Sequence, residues 1–165
     1  MSTCKSFAPI VDEHSRILIL GSMPGIKSLE QQEYYAHPQN RFWRLLALLL
    51  QENVPLDYAA KQALLHKHHL ALWDTLGYCE RDGSLDSNIK NEAPNAVAEL
   101  AGELPHLQAV VCNGGKAGAA FKKYFAKKMP EQVRIFYLPS TSPANARLRL
   151  EGLAERWRVI LQFLT

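Results

Sequence analysis

The segment Tyr34-Tyr35-Ala36-His37-Pro38-Gln39-Asn40-Arg41-Phe42-Trp43 sets aromatic rings a few residues ahead of the side-chain amide of Asn40. A ring face can stack on a planar base, a contact worth roughly 1 to 3 kcal/mol. The Asn40 amide both accepts and donates hydrogen bonds, so it can hold a small polar reactant in place. Upstream, Gly21-Ser22-Met23-Pro24-Gly25 follows an apolar run, with Gly21 suited to a sharp turn, Gly25 to a positive φ, and Pro24 stiffening the loop. Asp74 follows a second apolar run with no basic neighbour, where its carboxylate can accept from a ligand N–H. Asn113-Gly114-Gly115 reads as a strand-to-helix turn whose helix start can hold a phosphate. Ser140-Thr141-Ser142-Pro143-Ala144-Asn145-Ala146-Arg147 offers small hydroxyls and free N–H groups of the kind that contact DNA phosphates.

Each stretch also has a plainer reading. Gly21 to Gly25 can be a structural turn, Tyr34 and Tyr35 part of the core, Pro38 a helix entry and Asn40 its N-cap. Asp74 can cap a turn, and Asn113 suits the left-handed position of one.

Several chemistries are missing. No Gly-x-Ser-x-Gly elbow, phosphate-binding Gly-Lys-Ser/Thr loop or Gly-x-Gly-x-x-Gly turn occurs. Cys4, Cys79 and Cys112 are scattered and odd in number, which argues against a disulfide framework, a structural zinc site or a four-cysteine cluster. His66, His68 and His69 lack acidic or cysteine companions nearby in sequence, so solvated histidines at a helix end are expected there, with no metal and no cofactor. A net charge of +3 permits a polyanionic partner without demanding one. No apolar run reaches the roughly 18 to 20 residues of a membrane span, and the N-terminus lacks a secretory layout, so a cytoplasmic protein is expected.

The elements that must position these residues follow from apolar patterning. Arg16 to Leu20, Leu70 to Trp73, Leu107 to Cys112 and Arg134 to Leu138 are short continuous apolar runs, as in strands covered on both faces. Helical spacing recurs from Phe42 to Leu49, from about Asp57 to Lys67, after Asn95 as a cap, from Gly115, and from about Asn145 to Leu164. The pattern predicts a three-layer α/β/α domain spanning residues 1–165, around a mostly parallel sheet of about four strands. Ligands of such sheets sit beyond the carboxyl ends of the strands, where Gly21 to Gly25, Asp74, Asn113 and Ser140 to Arg147 all fall.

In order along nearly the whole chain, these residues resemble the uracil-DNA glycosylase superfamily, nearest its hypoxanthine-DNA glycosylase branch. The likeness is carried by Gly21-Ser22-Met23-Pro24-Gly25, by Tyr35 to Trp43, by Leu72-Trp73-Asp74 and by Ser140-Thr141-Ser142-Pro143. The His37-Pro38-x-Asn40-Arg41-Phe42-Trp43 stretch is similar to that of mismatch-specific uracil-DNA glycosylases too. The resemblance implies that Gly21 to Gly25 line the sugar and the attacking water, Tyr35 stacks on a flipped base, and His37 belongs to the segment whose Asn40 is catalytic. It places Asp74 where uracil enzymes read the base edge with Asn, an edge that Asn40 or Asn113 could also read, and Ser140 to Pro143 on the minor-groove side. Met23 stands where other branches have a catalytic Asn or acid, Ser140 where many have His or Asn, and Ala144 where a wedge leucine is usual. That leaves Asn145, Arg147 or Leu148 to fill the emptied stack. The implied protein is a monomeric, monofunctional glycosylase acting on double-stranded DNA with a damaged or mismatched base. Two other readings stay open: a uracil or mismatched-thymine glycosylase, and a non-catalytic nucleotide- or nucleic-acid-binding module.

Overall fold

Each of the four apolar runs forms a strand of one parallel sheet in the computed structural model, which describes residues 2–164. In chain order the elements are β1 (Ser2–Lys5), β2 (Ile17–Gly21), α1 (Ile26–Gln31), α2 (Phe42–Leu50), α3 (Tyr58–Lys67), β3 (Leu70–Asp74) and β4 (Leu76–Arg81). There follow β5 (Lys90–Pro94), α4 (Val97–Glu103), β6 (Ala109–Asn113), α5 (Gly115–Tyr124), β7 (Arg134–Leu138) and α6 (Leu150–Trp157). The sheet runs β3-β2-β6-β7, every pair parallel.

Side-chain alternation splits the core into two layers. Ile17 and Ile19 face α2, α3 and α6, packing with Phe42, Leu46, Leu65 and Trp157. Leu18 and Leu20 face α4 and α5, packing with Val97, Ala101, Ala117 and Phe121. All four β2 aliphatics are fully buried, each worth roughly 1.5 to 3 kcal/mol of transfer free energy. That two-sided burial is why the run is continuous in sequence.

A second sheet, β1-β4-β5, is antiparallel and absent from the sequence expectation. Strand β4 follows β3 after Thr75 alone, and register shifts at Leu76/Tyr78 and Tyr78/Glu80 break the alternation that would betray it. One signal was there: Asp82-Gly83, a favoured tight-turn dipeptide, with Gly83 at φ 74.

Four local expectations are corrected. Asn95 does not cap α4, whose N-cap is Ala96; its amide donates instead to the carbonyls of Asp74 at 2.9 Å and Leu76 at 3.2 Å. The last helix is shorter than 145–164: α6 begins at Leu150, and Arg158–Phe163 continues as 3-10 helix. Residues 145 to 149 stay outside it, with the Asn145 and Leu148 carbonyls bonded to the Arg41 side chain. Gly25 sits at φ −75; what favours glycine there is Ser84, whose Oγ lies 3.2 Å from an added Cβ. His66 and His68 are paired with Asp12 at 3.0 Å and Glu52 at 3.1 Å, partners 54 and 16 residues away that inspection of the local sequence cannot see.

No helix among the described residues is long and apolar enough to cross a membrane.

Candidate active site

The carboxyl ends of the parallel strands open onto one cavity of about 1000 Å³, room for a nucleotide. Gly21 to Gly25, Tyr35, His37, Asn40, Asp74, Asn113 and Ser140 to Asn145 line it, whereas Arg147 and Leu148 do not. Arg147 is exposed and lies off the cavity. Sheet topology explains the convergence: Gly21 ends β2, Asp74 ends β3, Asn113 ends β6, and Ser140 follows β7.

Asn40 lies just ahead of α2, whose N-cap is Arg41 and not Asn40 as the plainer reading had it. Its Oδ1 accepts from the Phe42 N–H at 3.0 Å, closing the start of α2, and from the Thr141 hydroxyl at 2.9 Å. With both lone pairs engaged, the oxygen is not free to hold a reactant as well. The Phe42 N–H requires an acceptor, so the amide orientation is fixed and Nδ2 is the group left for a ligand. Thr141 in turn accepts from Asn113 Nδ2 at 3.1 Å and donates its main-chain N–H to Asn113 Oδ1 at 3.0 Å. Thr141 is therefore no DNA contact: its side chain is fully enclosed and spent within the protein.

Asp74 is buried beneath the cavity floor. Its Oδ2 accepts from the Ser6 hydroxyl at 2.8 Å, while Oδ1 lies 2.7 Å from where a Cβ on Gly21 would stand. Burial pushes its pKa up to about 7, aided by the charge of Asp86 and opposed by the Ser6 hydrogen bond and Arg81. Asp86 and Arg81 were missed in sequence. Asp86 accepts from Ser22 Oγ at 2.6 Å, and its loop (82–89) walls the cavity through Ser84 to Ser87. Arg81 is fully buried, donates to the Pro24 carbonyl, and leaves Nε and Nη1 without partners. A buried cation behind the Gly21 to Gly25 turn holds that turn in shape and favours negative charge nearby.

Tyr34 and Tyr35 divide. Tyr34 is core, its hydroxyl donating to the Ala8 carbonyl at 2.9 Å and its own carbonyl accepting from Trp43 Nε1 at 3.1 Å. Tyr35 turns toward the cavity at φ 54 and stacks on Phe42, ring centroids 4.1 Å apart. Burial, then the charge of Asp74, raises its phenol pKa further, so it stays neutral. His37 forms the turn before Asn40, accepting from Gln39 N–H on Nδ1 at 3.1 Å. Met23 packs with Cys4, Leu76 and Cys79 in a small core, so position 23 holds no reactive group. Gly114, at φ 99 with Ser140 Cβ 2.9 Å from an added Cβ, lets β6 turn into α5 against the Ser140 segment. Among the described residues, no group of three or more His, Cys, Asp or Glu is placed to hold a metal.

Comparison with known proteins assigns the family. The model of the uracil-DNA glycosylase superfamily matches residues 8–163. The chain belongs to that superfamily. By family it is a DNA glycosylase. It is 35% identical over 158 residues to a hypoxanthine DNA glycosylase of Methanosarcina barkeri, covering 93% of this chain and 98% of that one. A hypoxanthine DNA glycosylase of Methanosarcina acetivorans is 34% identical over 159 residues, with 96% and 98% covered. A solution NMR structure from M. acetivorans, provisionally described as a uracil DNA glycosylase, superposes with a TM-score of 0.85 at 33% identity, covering 99% of each chain. The superfamily's three-layer fold with a four-stranded parallel sheet is the architecture found here.

Proposed function

We propose that this glycosylase removes hypoxanthine from DNA, hydrolysing the N-glycosidic bond of a flipped deoxyinosine. The observation that carries the reading is Asp74: a buried carboxyl with one oxygen held by Ser6 and the other lying beside Gly21 in the cavity. Hypoxanthine presents an N1–H donor beside its O6 acceptor, whereas adenine presents a bare N1. Ionised Asp74 accepts from N1–H and faces adenine's lone pair with its own. An unmatched buried pair of this kind costs about 1 to 3 kcal/mol, a preference of roughly 5- to 150-fold. The names of the relatives support the same substrate.

Extruding a nucleotide costs a few kcal/mol, less when the pair is already faulty, as deoxyinosine opposite thymine is. As the bond stretches, the sugar becomes cationic and the base anionic. Gly115 opens α5 at the cavity, and the unpaired N–H groups of that helix start favour negative charge on the base. Asn40 contributes a fixed donor: Nδ2–H holds the water oxygen against C1′, leaving a lone pair for attack. No strong base is needed against so electron-poor a carbon, and the proton that the water sheds balances the one that the departing base anion takes up.

Duplexes containing deoxyinosine, uracil, xanthine or mismatched thymine, scored for alkali-labile breaks, test this reading. Deoxyinosine should be processed fastest; uracil ahead of deoxyinosine would move the assignment to the mismatch-specific branch, and no release from any duplex would leave a binding module. Asn40→Ala should lower base release at least about a hundredfold, in line with loss of a positioned catalytic group, with duplex binding retained.

A further inference from the structure

We infer that Arg41 is a positioning residue whose guanidinium fixes the shape of the main chain from Thr141 to Leu148, the rim on which a duplex would lie. Its Nε donates to the Thr141 carbonyl at 3.3 Å, its Nη2 to those of Ser142 at 2.8 Å and Asn145 at 3.0 Å, and its Nη1 to that of Leu148. The Arg41 main-chain N–H donates to Thr141 as well, at 3.1 Å. One planar cation thus gathers four carbonyls of a segment that has no helix or strand of its own.

No carboxylate pairs with Arg41 in any ion pair among the described residues; its acceptors are all main-chain oxygens. Thr141 is also held by Asn113 and Asn40. From Ser142 onward the remaining hydrogen bonds are local: Ser142 N–H to Ser140 Oγ, Ala144 N–H to Ser142 Oγ, Asn145 N–H to the Ser142 carbonyl, and Asn145 Nδ2 to the Ser140 carbonyl. Those bonds shape turns but do not tie residues 142–148 to the body of the domain. Arg41 does, and it neighbours Asn40, whose oxygen is bonded to Thr141. A shift of the rim is thereby a shift of the amide. Lysine cannot replace this arrangement, because its ammonium is a compact charge without a planar fork of five N–H donors.

The inference rests on the glycosylase reading only for what the rim is for; the tether itself is testable without turnover. Amide hydrogen exchange of the intact protein, together with affinity for a duplex carrying a tetrahydrofuran abasic-site analogue, should be compared for wild type, Arg41→Ala and Arg41→Lys. In both variants exchange over residues 141–148 should accelerate at least about tenfold, the scale of one lost charge-assisted hydrogen bond, while β2 and β6 stay protected. Affinity for the analogue duplex should fall about tenfold or more, and millimolar guanidinium ion should restore part of it to Arg41→Ala. Arg41→Lys guards against the alanine variant failing to fold. Wild-type exchange over 141–148 in the lysine variant, or exchange raised throughout the chain, would overturn the inference. A wild-type enzyme that releases no base would sink the glycosylase reading and leave the exchange result standing.

Discussion

The Thr141 hydroxyl donates to Asn40 Oδ1 at 2.9 Å across 101 residues of sequence, and Asn113 holds Thr141 from the other side. The amide is thus held by a relay from β6 through the segment after β7, which takes up its oxygen and leaves its nitrogen as the group open to a ligand.

Thr141→Val keeps the shape and removes both hydroxyl bonds. Stability should drop by about 1 to 3 kcal/mol, because Asn113 Nδ2 is left unpaired in a buried site. Single-turnover base release should fall about ten- to a hundredfold, each factor of ten being 1.4 kcal/mol of barrier, with duplex affinity changed little. Thr141→Ser should restore most of the rate; a valine variant as fast as wild type would show that Asn40 needs no aiming.

Asp74 predicts opposite pH trends for activity and stability. Its pKa in the fold is raised from 3.8 to about 7, so deoxyinosine release should rise with pH through about 7 as the acceptor ionises. Between pH 3.8 and about 7 the folded protein binds a proton the unfolded chain has lost, so Asp74's contribution to stability declines as pH rises through that window. Asp74→Asn should therefore flatten the rate profile and cost hypoxanthine preference. It should raise Tm at pH 8 by several degrees and hardly change it near pH 4, the differential being on the order of a few kcal/mol. A steep profile surviving in Asp74→Asn would assign the titration elsewhere.

Gly21→Ala adds a methyl 2.7 Å from Asp74 Oδ1 and 3.0 Å from the Tyr35 hydroxyl. The carboxyl and the ring must both give way, so base release should fall at least about tenfold even where the fold survives. Gly114→Ala meets both a positive φ and Ser140, and should cost about 1 to 3 kcal/mol in a melting experiment. Wild-type melting in Gly114→Ala would mean that the turn relaxes freely.

Lys27 lines the cavity mouth, exposed and 3.7 Å from Glu30. Nothing desolvates it into a nucleophile. Borohydride added during turnover on deoxyinosine DNA should trap no covalent adduct, and abasic sites should accumulate unbroken; a trapped adduct lost in Lys27→Ala would make the enzyme a lyase as well.

The sequence by itself determined the parallel sheet, because strands buried on both faces must be apolar throughout, and with it the edge to which Gly21, Asp74, Asn113 and Ser140 converge. It also carried Asn40, which stands in the stretch before Phe42-Trp43 that resembles the superfamily's. Only the tertiary structure decided how those groups act. Which Asn40 atom is free depends on Thr141 and Phe42, and Thr141 moves from the DNA face to the interior because Asn113 consumes it. The raised pKa of Asp74 depends on burial and on Ser6, 68 residues away in the chain, with Asp86 and Arg81 brought round by the next strand and its loop. The second sheet and its cavity wall stayed hidden because bulges erase the alternation of β4. Local propensity can be read one residue at a time, whereas desolvation and the pairing of polar atoms exist only once separate segments share one space.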